Sequence, residues 1–301
     1  MRILLTGGTG LIGQALCRLW RSQGHDLWVW SRTPQQVEKL CQGSKGIAHL
    51  DSLDGSAPFD AVVNLAGAPI ATHRWSAERC ELLWNSRIDL TRTLVDWMGR
   101  QVSIPQVLIS GSAVGWYGDG EEQWLSEDSS PGNIDFGSRL CVAWEQEAAR
   151  ARQQLGVRVV LLRTAPVLTA AGGMLARLLP SFKRGLGCRL GSGQQWMPWI
   201  HIDDQVALID YLLKNESCSG PYNACAPGVV RNIDFTQILA RELGKPALLH
   251  LPAWALRLAL GEMSVLLLGG QRLVPQRAQD AGFSWRYPEL PGALRHLLRV
   301  A

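Results

Sequence analysis

No block of like charge runs anywhere along this chain; its 30 Lys and Arg are scattered among 26 Asp and Glu. A formal charge of +4 spread in this way lacks the basic stripe that a nucleic-acid backbone requires, so no nucleic-acid partner is expected. No C-x-x-C pair occurs either. The seven cysteines, Cys17, Cys41, Cys80, Cys141, Cys188, Cys218 and Cys225, are odd in number and widely spaced. That excludes a regular disulfide framework or zinc module and suits a reducing compartment; no metal is expected. No uncharged apolar run reaches the roughly 18 residues a spanning helix needs. The leucine-rich stretch 251–270 is divided by Arg257 and Glu262 and reads as one or two helices packed on an apolar surface. The opening MRILLTGGTGLIG is interrupted by glycines, with no A-x-A site after it, and reads as strand and loop rather than leader. These absences point to a soluble, cytoplasmic protein with no membrane partner, and they leave its oligomeric state open.

What is present is a β-α rhythm. The chain has 301 residues, 47% of them hydrophobic, enough for one compact unit or two tightly joined lobes. RILLTG, DLWVWS, DAVVNLAG, QVLISG and VRVVLLRT are short and almost continuously apolar, as parallel strands covered on both faces must be. Helical periodicity fills the gaps, from about Gly10 to Ser22, from Ser76 to Gly99, and from Asp135 to Gly156. The fold class expected is α/β, a Rossmann-like doubly wound parallel sheet spanning 1–165. After Thr164 glycine and proline become frequent, and residues 166–301 read as a smaller substrate lobe. Two segments near 199–225, WIHIDD and PYNACA, read as strands returning to the main sheet.

TGGTGLIG joins the first strand to the first helix. Gly7 permits a tight turn, Gly10 a close backbone approach to a pyrophosphate, and Gly13 close packing of helix on strand; the first-turn N–H groups of Leu11, Ile12 and Gly13 face the same place. Strand, spacing and helix agree, so the loop is read as a dinucleotide cradle. At the end of the second strand, where an NAD site carries Asp or Glu, this chain has Ser31 and Arg32. A hydroxyl and a guanidinium suit a 2′-phosphate, so NADP(H) is the cofactor expected.

These residues resemble the short-chain dehydrogenase/reductase superfamily in its extended, epimerase-like branch. TGGTGLIG is similar to that family's glycine motif, NLAG (64–67) to its N-x-A-G motif, and SGSAVGWYG (110–118) to its serine motif. GGMLARLLPSFKRGLGCRLGSGQQWMPWIHIDD and GQRLVPQRAQDAGFSWRYPEL resemble an atypical "epimerase family protein" subgroup, for which no substrate is assigned. The resemblance implies that Leu65, Ala66, Gly67 and Ser110 border the cofactor, and that Arg87 of the NSR motif approaches it.

The resemblance also exposes a gap. The family uses a Ser or Thr on the substrate oxygen, a Tyr to exchange the proton, and a Lys four residues later that lowers the Tyr pKa. In FGSRLCVAWE (136–145) Gly137 stands at the tyrosine position and Cys141 at the lysine position. No Lys occurs from 46 to 182, and the only Tyr in that interval is Tyr117. Cys141, between apolar neighbours, reads as packing. Ser112 remains at the expected strand end, and Tyr117 on the following loop is the candidate replacement acid. Trp116 and His201 are candidate contacts for a small-molecule substrate, and tryptophans 75, 116, 124, 196 and 199 suggest an aromatic lining. Asp203 and Asp204 read as helix caps. Two functions stay open: an NADP(H)-binding oxidoreductase or epimerase-like enzyme for a small carbonyl or hydroxyl compound, and a non-catalytic NADP(H)-binding regulator or redox sensor.

Overall fold

The computed structural model describes residues 1–132 and 134–299. Seven parallel strands form the central sheet: β1 (Arg2–Thr6), β2 (Asp26–Trp30), β3 (Lys45–Ile47), β4 (Ala61–Asn64), β5 (Val107–Ala113), β6 (Arg158–Thr164) and β7 (Gly220–Ala224). Their order is β7-β6-β5-β4-β1-β2-β3, every pairing parallel. The order reverses between β1 and β4, and in open α/β sheets the crevice at that switch point takes ligands. Successive side chains on a strand face opposite sides. Ile3 and Leu5 therefore join one core with Leu16 and Trp20 of α1 (Leu11–Ser22), while Leu4 joins the other with Leu94 and Trp97. This makes the sheet a Rossmann-like layer with helices on both faces.

Local sequence sets the helix ends. α1 ends before Gly24, whose φ of +80° suits glycine alone at little cost. The Ser76–Gly99 periodicity resolves into two helices, α2 (Ala77–Asn85) and α3 (Ile88–Arg100), rather than one. The break falls at Ser86 and Arg87, which turn inward instead of continuing the amphipathic face: Ser86 Oγ accepts from Ala68 N at 3.0 Å, and Arg87 donates to Ala68 O at 3.0 Å. α4 (Phe136–Leu155) is capped by Asp135, whose carboxylate accepts from Ser138 N at 2.9 Å, and stops at Gly156 with φ +70°.

Beyond β6, α5 (Gly173–Lys183), α6 (Ile202–Lys214), α7 (Asn232–Glu242) and α8 (Leu290–Arg299) follow. α5, α7 and α8 share a separate core with Leu175, Phe182, Trp199, Phe235 and Leu294. α6 instead packs beneath the main sheet, with Val206, Ile209 and Leu212 in the core of α1. PYNACA supplies β7 in the main sheet, but WIHIDD does not join it. Ile200–His201 pairs in parallel with Val167–Leu168 as a two-stranded ladder, because the edge of β6 is already taken by β7. Stretch 251–270 forms two helices, Ala253–Leu260 and Val265–Leu268; Leu256 packs inward, while Trp254 and Leu258 stay exposed. Among the described residues no helix is long and apolar enough to cross a membrane.

Candidate cofactor and substrate site

The glycine loop is a steric cradle. A Cβ on Gly7, whose φ is +71°, would lie 2.6 Å from Leu65 O, and one on Gly13 would lie 2.3 Å from Gly7 O. Neither contact is survivable, so loop, β4 and α1 meet as closely as backbone allows. α1 carries no side-chain cap and no acidic residue in its first turn. Its N–H groups and positive dipole end are left for an anion, which fits a pyrophosphate.

Below this loop a buried polar cluster fixes the strand ends. Thr6 Oγ1 donates to Asn64 Oδ1 at 2.7 Å, Asn64 Nδ2 donates to Thr91 Oγ1 at 2.8 Å and to Ser110 Oγ at 3.4 Å, and Ala66 N donates to Thr6 Oγ1 at 3.1 Å. The loop Leu65–Gly67 is thereby held against Gly7. Ser110 is fully buried and stands beneath the loop, within hydrogen-bond reach of Asn64. Arg87 lies behind Gly67, where an added Cβ would come within 2.9 Å of its guanidinium carbon. Burial pulls that guanidinium down to about 10, still charged at neutral pH, and it donates to Ala68 O and Leu83 O at 3.0 and 3.2 Å. At the end of β2, Ser31 Oγ accepts from Thr33 N at 3.1 Å, and Arg32 is exposed.

The sequence candidates for proton transfer lie elsewhere. Ser112 Oγ donates to Glu145 Oε1 at 2.7 Å, and Arg163 clamps both Glu145 oxygens, at 2.9 and 3.0 Å. Tyr117 Oη donates to Asn223 Oδ1 at 2.6 Å and accepts from Arg163 Nη1 at 3.0 Å. Burial pushes the Tyr117 phenol up to about 12, against the opposing pull of Arg163. Trp116 lies over the same guanidinium, 3.4 Å from ring centroid to its carbon. All of Ser112, Tyr117, Glu145 and Arg163 are buried. Ser112 and Tyr117 are thus brought into one buried network, each with a hydrogen-bond partner inside the protein. Trp116 joins the same network through Arg163.

His201 is likewise engaged within the protein. It is fully buried in the second lobe, its ring stacked 4.0 Å from that of Tyr287. Nδ1 accepts from Asp203 N at 3.0 Å and Nε2 lies 3.1 Å from His296 Nδ1. His201, not Asp203 or Asp204, is therefore the cap of α6; the Asp204 carboxylate instead accepts from Arg286 N and Tyr287 N, at 2.8 and 2.9 Å. Cys141 is buried, and burial, with Glu145 nearby, pushes its thiol up to about 12, which keeps it protonated and unreactive.

At the carboxyl edge of the sheet, between β5, the start of α4 and the second lobe, lies a cavity of about 230 Å³. Gly115 and Gly137 line its inner end, and Met174, Leu178, Phe182, Met197 and Phe235 line its sides. Gly137, the residue at the family's tyrosine position, lies on this wall, where an added Cβ would meet Asp135 Oδ1 at 3.1 Å and the Trp75 ring at 3.6 Å. Of the tryptophans expected to line a pocket only Trp196 does so; Trp199 is core. Asp135 reaches the same inner end. Sequence reasoning passed over it because its helix-start position already explained it; its place two residues before Gly137 was the available signal. Asp203, His201 and His296 bring ligand atoms within 4.8 Å of one another, but two of the ring nitrogens already face each other.

A doubly wound sheet with a glycine cradle at its switch point defines a dinucleotide-binding α/β protein. Residues 3–225 match the NAD dependent epimerase/dehydratase family, and residues 251–297 match a domain of unknown function, DUF1731. The chain belongs to that epimerase/dehydratase family. It is 38% identical over 309 residues to the epimerase family protein SDR39U1 homolog, chloroplastic, of Arabidopsis thaliana, covering 99% of this chain and 87% of the relative. It is 35% identical to epimerase family protein YfhF of Bacillus subtilis, covering 99% and 98%. The crystal structure of human epimerase family protein SDR39U1 with NADPH superposes with a TM-score of 0.90 at 31% identity, over the full length of both chains. A UDP-galactose 4-epimerase, 19% identical with a TM-score of 0.76, shares the fold.

Proposed function

We propose that this chain is an NADP(H)-dependent oxidoreductase acting on a small carbonyl or hydroxyl compound. The observation that carries the reading is the placement of two sites at one sheet edge: a glycine cradle at the switch point and a cavity whose inner wall is the vacated tyrosine position. NADPH in the human relative supports the choice of cofactor. In this reading the backbone at Gly7, Gly10 and Gly13 and the N–H groups of Leu11 and Ile12 hold the pyrophosphate, and Ser31 and Arg32 receive the 2′-phosphate. Leu65, Ala66 and Gly67 border the nicotinamide half, with Arg87 adding positive potential from behind Gly67. When bound, NADP(H) supplies the hydride chemistry. The chain contributes orientation and exclusion of water, effects that alone account for much of a rate enhancement, while the roughly 10²–10⁴-fold of a tuned acid is reduced by loss of the Tyr–Lys pair. The division at residue 165 separates these roles, cofactor before it and cavity wall largely after it.

The test is equilibrium binding of NADPH and NADH. NADPH binds more tightly, and Arg32→Asp weakens NADPH while sparing NADH; equal affinities in the unaltered protein would remove the basis of the reading. The engagement of Ser112 and Tyr117 inside the protein favours one second reading, a non-catalytic NADP(H)-binding regulator. NADPH oxidation assayed against a panel of carbonyl compounds separates the two.

A further inference from the structure

Nucleotide sugars carry a pyrophosphate, and sites for such groups supply Arg, Lys or a free helix N-terminus. Among the described residues no Lys or Arg side chain lines this cavity, and Asp135 is its only carboxylate. The start of α4 is capped by Asp135; the start of α7, which also borders the cavity, has no side-chain cap, but its Asn232 N and Ile233 N donate to Gln195 O and Gly193 O at 3.0 and 2.9 Å. The polar residues of the wall are turned to its own backbone: Gln195 donates to Leu190 O and Leu267 O at 3.1 and 2.8 Å, and Asn232 Oδ1 accepts from Leu190 N at 3.0 Å. The lining is mostly apolar, with Met174, Leu178, Phe182, Met197 and Phe235 among it, in a volume of about 230 Å³, below the ~300–1,000 Å³ usual for drug-sized ligands. A sugar would leave its hydroxyls unpaired against such walls, at a cost of about 1–3 kcal/mol for each buried group.

Asp135 is the charged group among the described residues of the lining. Asp135 Oδ1 accepts from Ser138 N, while Oδ2 has no hydrogen-bond partner among the described residues. A Cβ on Gly137 would lie 3.1 Å from Oδ1, so the carboxylate sits beside the vacated tyrosine position. A carboxylate accepts only, which selects a donor.

We infer that the cavity binds a small, uncharged, apolar alcohol whose hydroxyl donates to Asp135, and that it rejects nucleoside-diphosphate sugars. The inference rests on the oxidoreductase reading in one respect: the carbon bearing the hydroxyl then lies where the family presents its substrate. Titration calorimetry of the full chain, free and saturated with NADPH, with 2-octanol and with UDP-glucose as probes, tests it. 2-Octanol binds saturably and UDP-glucose does not. Asp135→Asn, which keeps a capping side chain, weakens 2-octanol about tenfold, the loss expected when a hydrogen bond to a charge becomes one to a neutral group. Leu178→Trp fills the cavity and abolishes 2-octanol binding, and both variants hold NADPH as the unaltered protein does. Binding of UDP-glucose in place of 2-octanol, or 2-octanol binding that survives Leu178→Trp, overturns the inference. Failure of NADPH to bind overturns the cofactor reading instead, so the two are separable.

Discussion

Two regions meet at the start of α4 and are built on opposite principles. On the sheet side, Ser112, Tyr117, Glu145, Arg163 and Asn223 form a buried network in which every named group has a partner at 3.0 Å or less. On the lobe side, about 15 Å along the helix from Glu145 to Asp135, the cavity is largely apolar with one carboxylate among its described lining residues. Residues that look like chemistry lie in the first region, and space for a ligand lies in the second. A buried charge pair must satisfy itself, so its hydroxyl neighbours are held for structure. A pocket that binds by apolar contact needs few polar groups, and so shows little in a list of reactive residues.

Breaking the network should have the largest effect. Arg163→Met leaves the Glu145 carboxylate buried without its partner, and unfolding in urea should show a loss of about 3–5 kcal/mol. A loss below about 1 kcal/mol would mean that the network is hydrated and that Ser112 is free to meet a ligand. Removal of one strut comes next. Tyr117→Phe leaves Asn223 Oδ1 and one Arg163 N–H short of a partner, and should cost about 1–3 kcal/mol of stability with NADPH affinity unchanged. If instead stability holds and turnover falls, the phenol belongs to the second region.

The legibility of the two regions differs for the same reason. The cofactor end was readable because its demands are local: Gly7, Gly10 and Gly13 lie within one turn and one helix start, and the five apolar runs are strands covered on both faces. β3 escaped because three residues with Gly46 among them carry no period. The α2–α3 break escaped because the inward contacts of Ser86 and Arg87 are made to a loop far away in sequence. The cavity was unreadable in the same sense, since its wall is drawn from many separate stretches between Val114 and Gln271. The buried partners of Ser112 and Tyr117 were not readable, because strand-end position and residue type say nothing about Glu145 and Arg163 behind them.

The smallest effect at neutral pH is expected in the second lobe, where it emerges only on acidification. Burial, with His296 adding to it, holds the His201 imidazole down at about 4, well below its ordinary value. The unfolded chain therefore binds a proton near pH 6.5 that the folded chain resists. Stability from this group is full above about pH 6.5, falls as pH drops, and levels off near 4. Thermal melts across that range should show the decline, and His201→Asn, which keeps a capping acceptor for Asp203 N, should flatten part of it without changing cofactor binding. A profile identical to that of the unaltered protein would place the titrating group elsewhere.

The central claim is that the glycine cradle and the apolar cavity are two ends of one site. A crystal structure of this chain with NADPH tests it most directly. The account predicts the adenosine phosphate beside Ser31 and Arg32 and the nicotinamide ring opening onto the cavity between Gly115 and Gly137. A nicotinamide turned away from that cavity, with protein between the two, would contradict it.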